Sequence, residues 1–115
     1  MQPPLARVVA TRTGAGGIVG QKRQYESRRF AIDFLGGDLA LLDPQTVVEP
    51  VITASRGRVE ITSARPLASI GGYRAMFDLV PAPGTEPIAL RLFLRANGQA
   101  LSETWLYEWD PAPRG

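Results

Sequence analysis

Glycine and proline interrupt this chain so often that a long helix has no room to form. The 115 residues include 12 Gly and 10 Pro. Turn signals recur at "TGAGG", "LGGD", "DPQ", "SRGR", "IGG", "PAPG" and "NGQ". Both residue types disfavour helix interiors and are frequent in turns. The chain is therefore limited to short elements joined by many turns.

The segments between these turns alternate apolar and polar residues, which is the period of a β-strand. "RRFAIDFL" places Phe30, Ile32 and Phe34 on one face, and "IALRLFLRA" repeats the pattern from Ile88 to Leu94. About seven such segments with turns every 8–12 residues or so predict an all-β, immunoglobulin-like β-sandwich. A small barrel is the alternative.

Three local signals refine this prediction. Asn97 and Gly98 lie between two alternating runs, which predicts an antiparallel hairpin formed by the last two strands. Residues 38–43, "DLALLD", predict a single helical turn with Asp38 as its cap. Arg56 and Gly57 form a tight turn between two further runs.

Length and composition exclude several classes of function. The length suits one domain over residues 1–115, with an ordered core over about residues 6–109 and proline-rich tails. The chain has neither Cys nor His, and its net charge of +2 is scattered. We therefore expect no disulfide, no metal, no cofactor and no nucleic-acid partner. No apolar run reaches the ~20 residues of a membrane helix, and any export signal is expected to lie outside the chain or to be absent.

The acidic residues do not suggest a catalytic pair. Hydrolysis of a glycosidic bond needs two carboxyl groups roughly 5–9.5 Å apart. Asp33 and Asp78 alternate with large apolar residues, which predicts that both lie on a solvated surface near Arg29 or Arg91. We therefore expect no catalytic residues within this chain.

The last strand, in "ETWLYEW", raises the question of core against binding surface. Trp105, Tyr107 and Trp109 share one parity, and large inward side chains are what a sandwich core needs. We predict that Trp105 lies in the core and that Trp109, at the strand end, is the one of the three that is partly exposed. Glu103 has the same parity, so it lies either at a rim or beside a bulge.

Four motifs in order resemble a known family: "ARVVATRTGAGGIVGQ", "RRFAIDFLGGDLALL", "VITASRGRV" and "ALSETWLYEW". From about Ala6 to Trp109, the chain resembles the C-terminal domain of the periplasmic glucan biosynthesis proteins of the G/D type (MdoG or OpgG). The resemblance implies an exported parent protein with a signal, acting in the biosynthesis of osmoregulated periplasmic β-glucans. It also implies a preceding N-terminal β-sandwich domain that holds the acidic residues of those members that hydrolyse β-1,2-glucan. None of those residues maps onto this chain.

On this resemblance, the chain is interpreted as a non-catalytic accessory domain that docks on the N-terminal domain. The alternative is a carbohydrate-binding module that contacts β-glucan through exposed aromatic residues. "GAGG" lacks the following helix that a phosphate site requires. We interpret this glycine-rich segment as a docking loop, because exposed glycine backbone can approach another surface closely. A loop without a partner is the alternative. The oligomeric state and the choice between G and D type stay open. The predicted interface or glucan contacts are Arg12, Gly14, Gly16, Gly17, Tyr25, Arg29 and Trp109.

Overall fold

The computed structural model describes residues 5–16 and 27–110. A 3-10 turn spans Leu39–Leu41. The strands within these ranges are β1 (Arg7–Ala15), β2 (Arg28–Leu35), β3 (Glu49–Ala54), β4 (Arg58–Leu67), β5 (Gly72–Val80), β6 (Ile88–Ala96), β7 (Gln99–Ala100) and β8 (Trp105–Trp109). Within the described ranges, no helix is long and apolar enough to cross a membrane.

The strands form two antiparallel sheets. The first sheet has the order β1-β2-β5-β4. The second is built on β6, which pairs with β3 on one side and with β7 and then β8 on the other. The expected immunoglobulin-like β-sandwich is confirmed.

The apolar positions of the alternating segments fill the space between the two sheets. Phe30 stacks on Phe77 with ring centroids 5.1 Å apart. Burying one large apolar side chain contributes roughly 1.5–3 kcal/mol, so this layer supplies most of the driving force for folding. The buried residues of β2, β5, β6 and β8 in this layer are Phe30, Ile32, Phe34, Ala75, Phe77, Leu79, Ile88, Leu90, Leu92, Leu94 and Trp105.

The Asn97–Gly98 hairpin is present, but its second strand is split. Both turn residues have positive φ, 52° and 76°, which suits the type I′ turn that connects twisted strands. After β7, the Leu101 N–H still donates to the carbonyl oxygen of Leu94 in β6 (2.8 Å), and the Leu94 N–H donates to Ser102 Oγ (2.8 Å). Ser102 also forms a parallel bridge with Ala6, at the edge of the first sheet. The chain then leaves β6 for residues 103–104. It rejoins β6 at Trp105. The prediction of a hairpin is confirmed, and the bridge closes one side of the sandwich.

The tight turn at Arg56 and Gly57 carries the chain from one sheet to the other. Gly57 has φ 78°, and a Cβ there would collide with the carbonyl oxygen of Val80. The Arg56 guanidinium donates hydrogen bonds to the carbonyl oxygens of Pro83 (2.7 Å) and Glu86 (3.3 Å). The turn is thereby attached to the loop between β5 and β6.

The predicted helical turn forms as a 3-10 turn. The Leu41 N–H donates to the carbonyl oxygen of Asp38 at 3.0 Å, whereas the Asp38 side chain makes no capping hydrogen bond. The position of the turn is therefore confirmed, but the role of Asp38 as a side-chain cap is not.

The strand registers define two ends of the sandwich. The end we call the glycine-rich end contains Ala15, Gly16, Arg28, the turn 55–57, the loop 81–87 and Trp109. The end we call the aliphatic end contains Leu5, Leu35, the segment 36–48, the turn 68–71 and the Asn97–Gly98 turn.

Candidate functional site

The outer face of the first sheet brings four of the predicted contact residues together near the glycine-rich end. Gly14 of β1 lies directly opposite Arg29 of β2, and Arg12 lies two residues further along β1. The Gly16 N–H donates to the carbonyl oxygen of Ser27 at 2.9 Å, so the chain beyond β1 stays beside the start of β2. These four residues form one continuous surface.

The other predicted contacts are distributed differently. Gly17 and Tyr25 lie outside the described residues. Trp109 ends β8 opposite Ile88, at the same end of the sandwich but on the second sheet. It is half-buried and packs against the core, so only part of its ring is open to a partner.

Asp78 is buried under this surface, and the prediction that it is solvated is wrong. Its side chain is fully covered and receives two hydrogen bonds from Arg29, Nε to Oδ1 at 2.8 Å and Nη2 to Oδ2 at 3.3 Å. These hydrogen bonds raise the pKa of Arg29 above its ordinary value, although burial acts in the opposite direction. A Cβ on Gly16 would lie 2.8 Å from Asp78 Oδ2 and would collide with Ser27 Oγ. Glycine therefore lets the backbone cover the carboxylate.

Asp33 forms a second pair of the same kind, with a partner that sequence reasoning did not name. Arg74, directly across on β5, donates Nε to Oδ1 at 2.7 Å and Nη2 to Oδ2 at 3.0 Å. Asp33 is 7% exposed, so its prediction as a solvated residue is also wrong. Asp33 is four residues along the strand from Arg29, the partner of Asp78, which corresponds to roughly 13 Å. That exceeds the spacing at which two carboxyl groups share a glycosidic bond.

Glu103 lies at the rim of the sandwich, as one of the two alternatives predicts. Its side chain is exposed, and Oε1 accepts a hydrogen bond from the Val8 N–H at 2.8 Å. The register shift lies in β1, between Val8 and Ala10. The carboxylate therefore satisfies a backbone donor beside an irregular strand edge. Within the described ranges, no three acidic side chains converge as a metal site would require.

The aromatic residues of β8 face inward, as their shared parity predicts. Trp105 is 5% exposed, and its indole N–H donates to Thr11 Oγ1 of β1 at 3.0 Å. The Tyr107 ring stacks on the Trp105 ring with centroids 5.3 Å apart, and Tyr107 is 36% exposed. The core position of Trp105 and the partial exposure of Trp109 are confirmed, and Tyr107 is more exposed than Trp109.

Sequence reasoning missed a shallow groove on the outer face of the second sheet. It is lined by Val51, Thr53, Arg91, Phe93 and Thr104, with a volume of about 240 Å³. The available signal was Phe93, an aromatic residue at the outward parity of β6, between two arginines. The alternation of β6 identifies its inward aliphatic residues, but it does not show that the outward Phe93 borders a groove.

The fold and the site together define a class of protein. The chain is an immunoglobulin-like β-sandwich in which the buried acids Asp33 and Asp78 form ion pairs on the outer face of the first sheet. Its candidate contact surfaces lie on the two ends and the two outer faces of the sandwich.

The family follows from comparison with known proteins. Residues 1–109 match the model of the family "Periplasmic glucan biosynthesis protein, MdoG", and the chain belongs to that family. It is 64% identical over 115 residues to glucans biosynthesis protein D of Stenotrophomonas maltophilia, covering 99% of this chain and 22% of that protein. The corresponding protein of Xanthomonas campestris pv. campestris is 65% identical over 113 residues, covering 96% of this chain and 21% of that protein. The chain thus spans about a fifth of the length of these curated relatives.

Proposed function

We propose that this chain is a non-catalytic accessory domain of a longer protein of periplasmic glucan biosynthesis. Residues 1–115 form one domain, and it docks on an N-terminal domain that binds glucan and carries the catalytic residues. The proposal is supported by relatives that are named for glucan biosynthesis, of which the chain matches 22% and 21%. The family description supports a periplasmic location for the parent protein.

The observation that carries the docking proposal is the exposed aliphatic surface at the aliphatic end. Leu41 is 81% exposed, Val47 74% and Ile70 48%. A Cβ on Gly71 would lie 3.4 Å from the Ala40 Cβ, so the 3-10 turn and the turn 68–71 lie side by side. Single exposed aliphatic residues are ordinary, but a group of them in one place marks an interaction surface.

The positions of the acids support the non-catalytic part of the proposal. Asp33 and Asp78 each hold an arginine in a two-bond ion pair. Glu103 holds the Val8 N–H. Each of these carboxylates has a structural partner, and a general acid or nucleophile must instead reach a substrate.

We propose the glycine-rich end as a second contact with the same partner. Arg12 is exposed, and a Cβ on Gly14 would meet no atom within 4 Å. A partner surface can therefore approach the backbone of β1 closely. Gly16, Arg29 and the half-buried Trp109 border this surface. We also propose Gly17 and Tyr25 as contacts on the basis of the sequence, since both lie outside the described residues.

A two-part binding experiment tests the docking proposal. The 115-residue chain is mixed with the remaining part of the Stenotrophomonas maltophilia relative, expressed separately, and association is measured by calorimetry. We expect saturable binding that Leu41→Ser combined with Ile70→Ser weakens, because the variant removes apolar area from the interface. Arg12→Ala should weaken binding less.

Leu106→Ser provides the matched control, because Leu106 is 68% exposed on the outer face of the second sheet. It should leave the affinity unchanged. An absence of association, or an equal loss in the control, would contradict docking through the aliphatic end. Hydrolysis of β-glucan oligomers by the isolated chain would contradict the non-catalytic assignment.

A further inference from the structure

The groove on the second sheet lies where β6 is incompletely covered. Phe93 pairs with Val51 of β3 on one side. On its other side β7 has ended and β8 begins only at Trp105, opposite Leu92. Ser102 still accepts a hydrogen bond from the Leu94 N–H while it bridges Ala6 beside β1. Residues 103–104 lie outside the strands, and Thr104 borders the space beside Phe93. The groove is thus a consequence of the split last strand.

The lining combines an apolar floor with polar edges. Phe93 and Val51 supply a ring and a branched side chain on neighbouring strands. Thr53 and Thr104 contribute hydroxyl groups that can donate and accept hydrogen bonds. Arg91 is exposed, and among the described residues its guanidinium has no hydrogen-bond or ion-pair partner.

This combination matches the chemistry of a pyranose ring. Such a ring presents a C–H face that packs on an aromatic side chain, and a rim of hydroxyl groups that need donors and acceptors. The volume of about 240 Å³ lies below the roughly 300–1,000 Å³ of pockets for drug-sized ligands. It therefore suits a single sugar unit of a chain that passes over the sheet.

We propose that this groove is a binding site for one glucose unit of a β-glucan, with Phe93 as the platform and Arg91, Thr53 and Thr104 as hydrogen-bonding partners. The site is separate from the docking surfaces, and it uses none of the aromatic residues that the sequence predicted as sugar contacts. It would let the domain hold a glucan strand beside the partner domain. Binding requires only this chain, so the site stands independently of the docking proposal.

The test is an NMR titration of the ¹⁵N-labelled 115-residue chain with a short linear oligosaccharide of β-linked glucose. We expect saturable amide shifts at residues 51–53, 91–93 and 104. Phe93→Leu keeps an apolar side chain but removes the flat ring, and should weaken binding about tenfold, which corresponds to about 1.4 kcal/mol. Arg91→Gln should weaken binding without disturbing the core, because Arg91 faces outward.

Two matched variants serve as controls. Tyr107→Leu removes an exposed aromatic ring elsewhere, and Arg65→Gln removes an exposed charge from the first sheet. Both should bind like the unaltered chain. The proposal is overturned by an absence of shifts at millimolar sugar, or by shifts confined to Tyr107 and Trp109. If Phe93→Leu does not fold, unchanged binding by Arg91→Gln overturns it instead.

Discussion

The two ends of the sandwich close the same pair of sheets in different ways. At the glycine-rich end, Arg56 holds the loop between β5 and β6, and the backbone at Gly16 covers the Asp78–Arg29 pair. At the aliphatic end, Leu41 and Ile70 extend into solvent. The glycine-rich end therefore pairs its charged groups within the chain, whereas the aliphatic end leaves apolar side chains exposed. The comparison teaches that the connections at the two ends of one sandwich can differ in how fully they satisfy their own side chains.

Trp105 lies between the two ends, and its substitution should cause the largest loss in the free energy of unfolding. Trp105→Ala should cost about 3–5 kcal/mol, because it empties a large buried site between the sheets. Trp109→Ala, half-buried at the glycine-rich end, should cost less. Urea unfolding followed by circular dichroism measures both. Small and equal losses would show that the last strand does not hold the sandwich together.

The next largest loss of stability should distinguish the two ion pairs on the first sheet. Arg29→Gln leaves the buried Asp78 carboxylate without its arginine and should cost about 3 kcal/mol. Arg74→Gln should cost less, because the Asp33 side chain is 11% exposed and water can reach it, whereas the Asp78 side chain is fully buried. The same unfolding measurement compares them. Equal losses of stability in the two variants would contradict a stronger dependence of Asp78, near the glycine-rich end, on its arginine.

Two glycines with positive φ test the connections at each end. Gly57→Ala, at the glycine-rich end, should cost about 2 kcal/mol, since the new Cβ adds a collision with the Val80 carbonyl oxygen to the strain of a left-handed conformation. Gly98→Ala, at the aliphatic end, should cost about 1 kcal/mol, because it meets only the strain. Thermal unfolding of both variants provides the comparison. A larger loss of stability for Gly98→Ala would contradict the conclusion that the Gly57 turn is the more closely packed of the two.

The smallest effect is expected at the exposed aliphatic surface. Leu41→Ser should change the free energy of unfolding by less than about 0.5 kcal/mol, because the side chain is 81% exposed. Leu39→Ser is the matched control in the same 3-10 turn, where Leu39 is 4% exposed, and it should be clearly destabilising. If Leu41→Ser is equally destabilising, the aliphatic end belongs to the core of this chain and not to a docking surface.

Much of the fold could be predicted from alternation and turn chemistry. Period two correctly assigned Phe30, Phe34 and Trp105 to the core, because a strand presents alternate side chains to opposite faces. Asn97–Gly98 correctly indicated a hairpin, because both residues tolerate positive φ. These are local properties, and the local sequence carries them.

The errors have a common cause. Alternation places Asp33 and Asp78 on the face opposite the core, which is correct, but it does not say whether that face is covered. Arginines on neighbouring strands and the backbone at Gly16 cover these acids, and both come from distant parts of the chain. Glu103 and the Phe93 groove likewise depend on where the chain leaves β6 to reach β1.

The sequence by itself determined the strands, the inward-facing residues and the hairpin, since each rests on steric and apolar preferences of adjacent residues. It also carried the resemblance to the glucan biosynthesis family. Only the tertiary structure decided which acids are buried, which aliphatic residues stay in solvent and where a groove opens. Those properties depend on contacts between segments that are remote in the chain, because a side chain is shielded from water only when such segments pack over it.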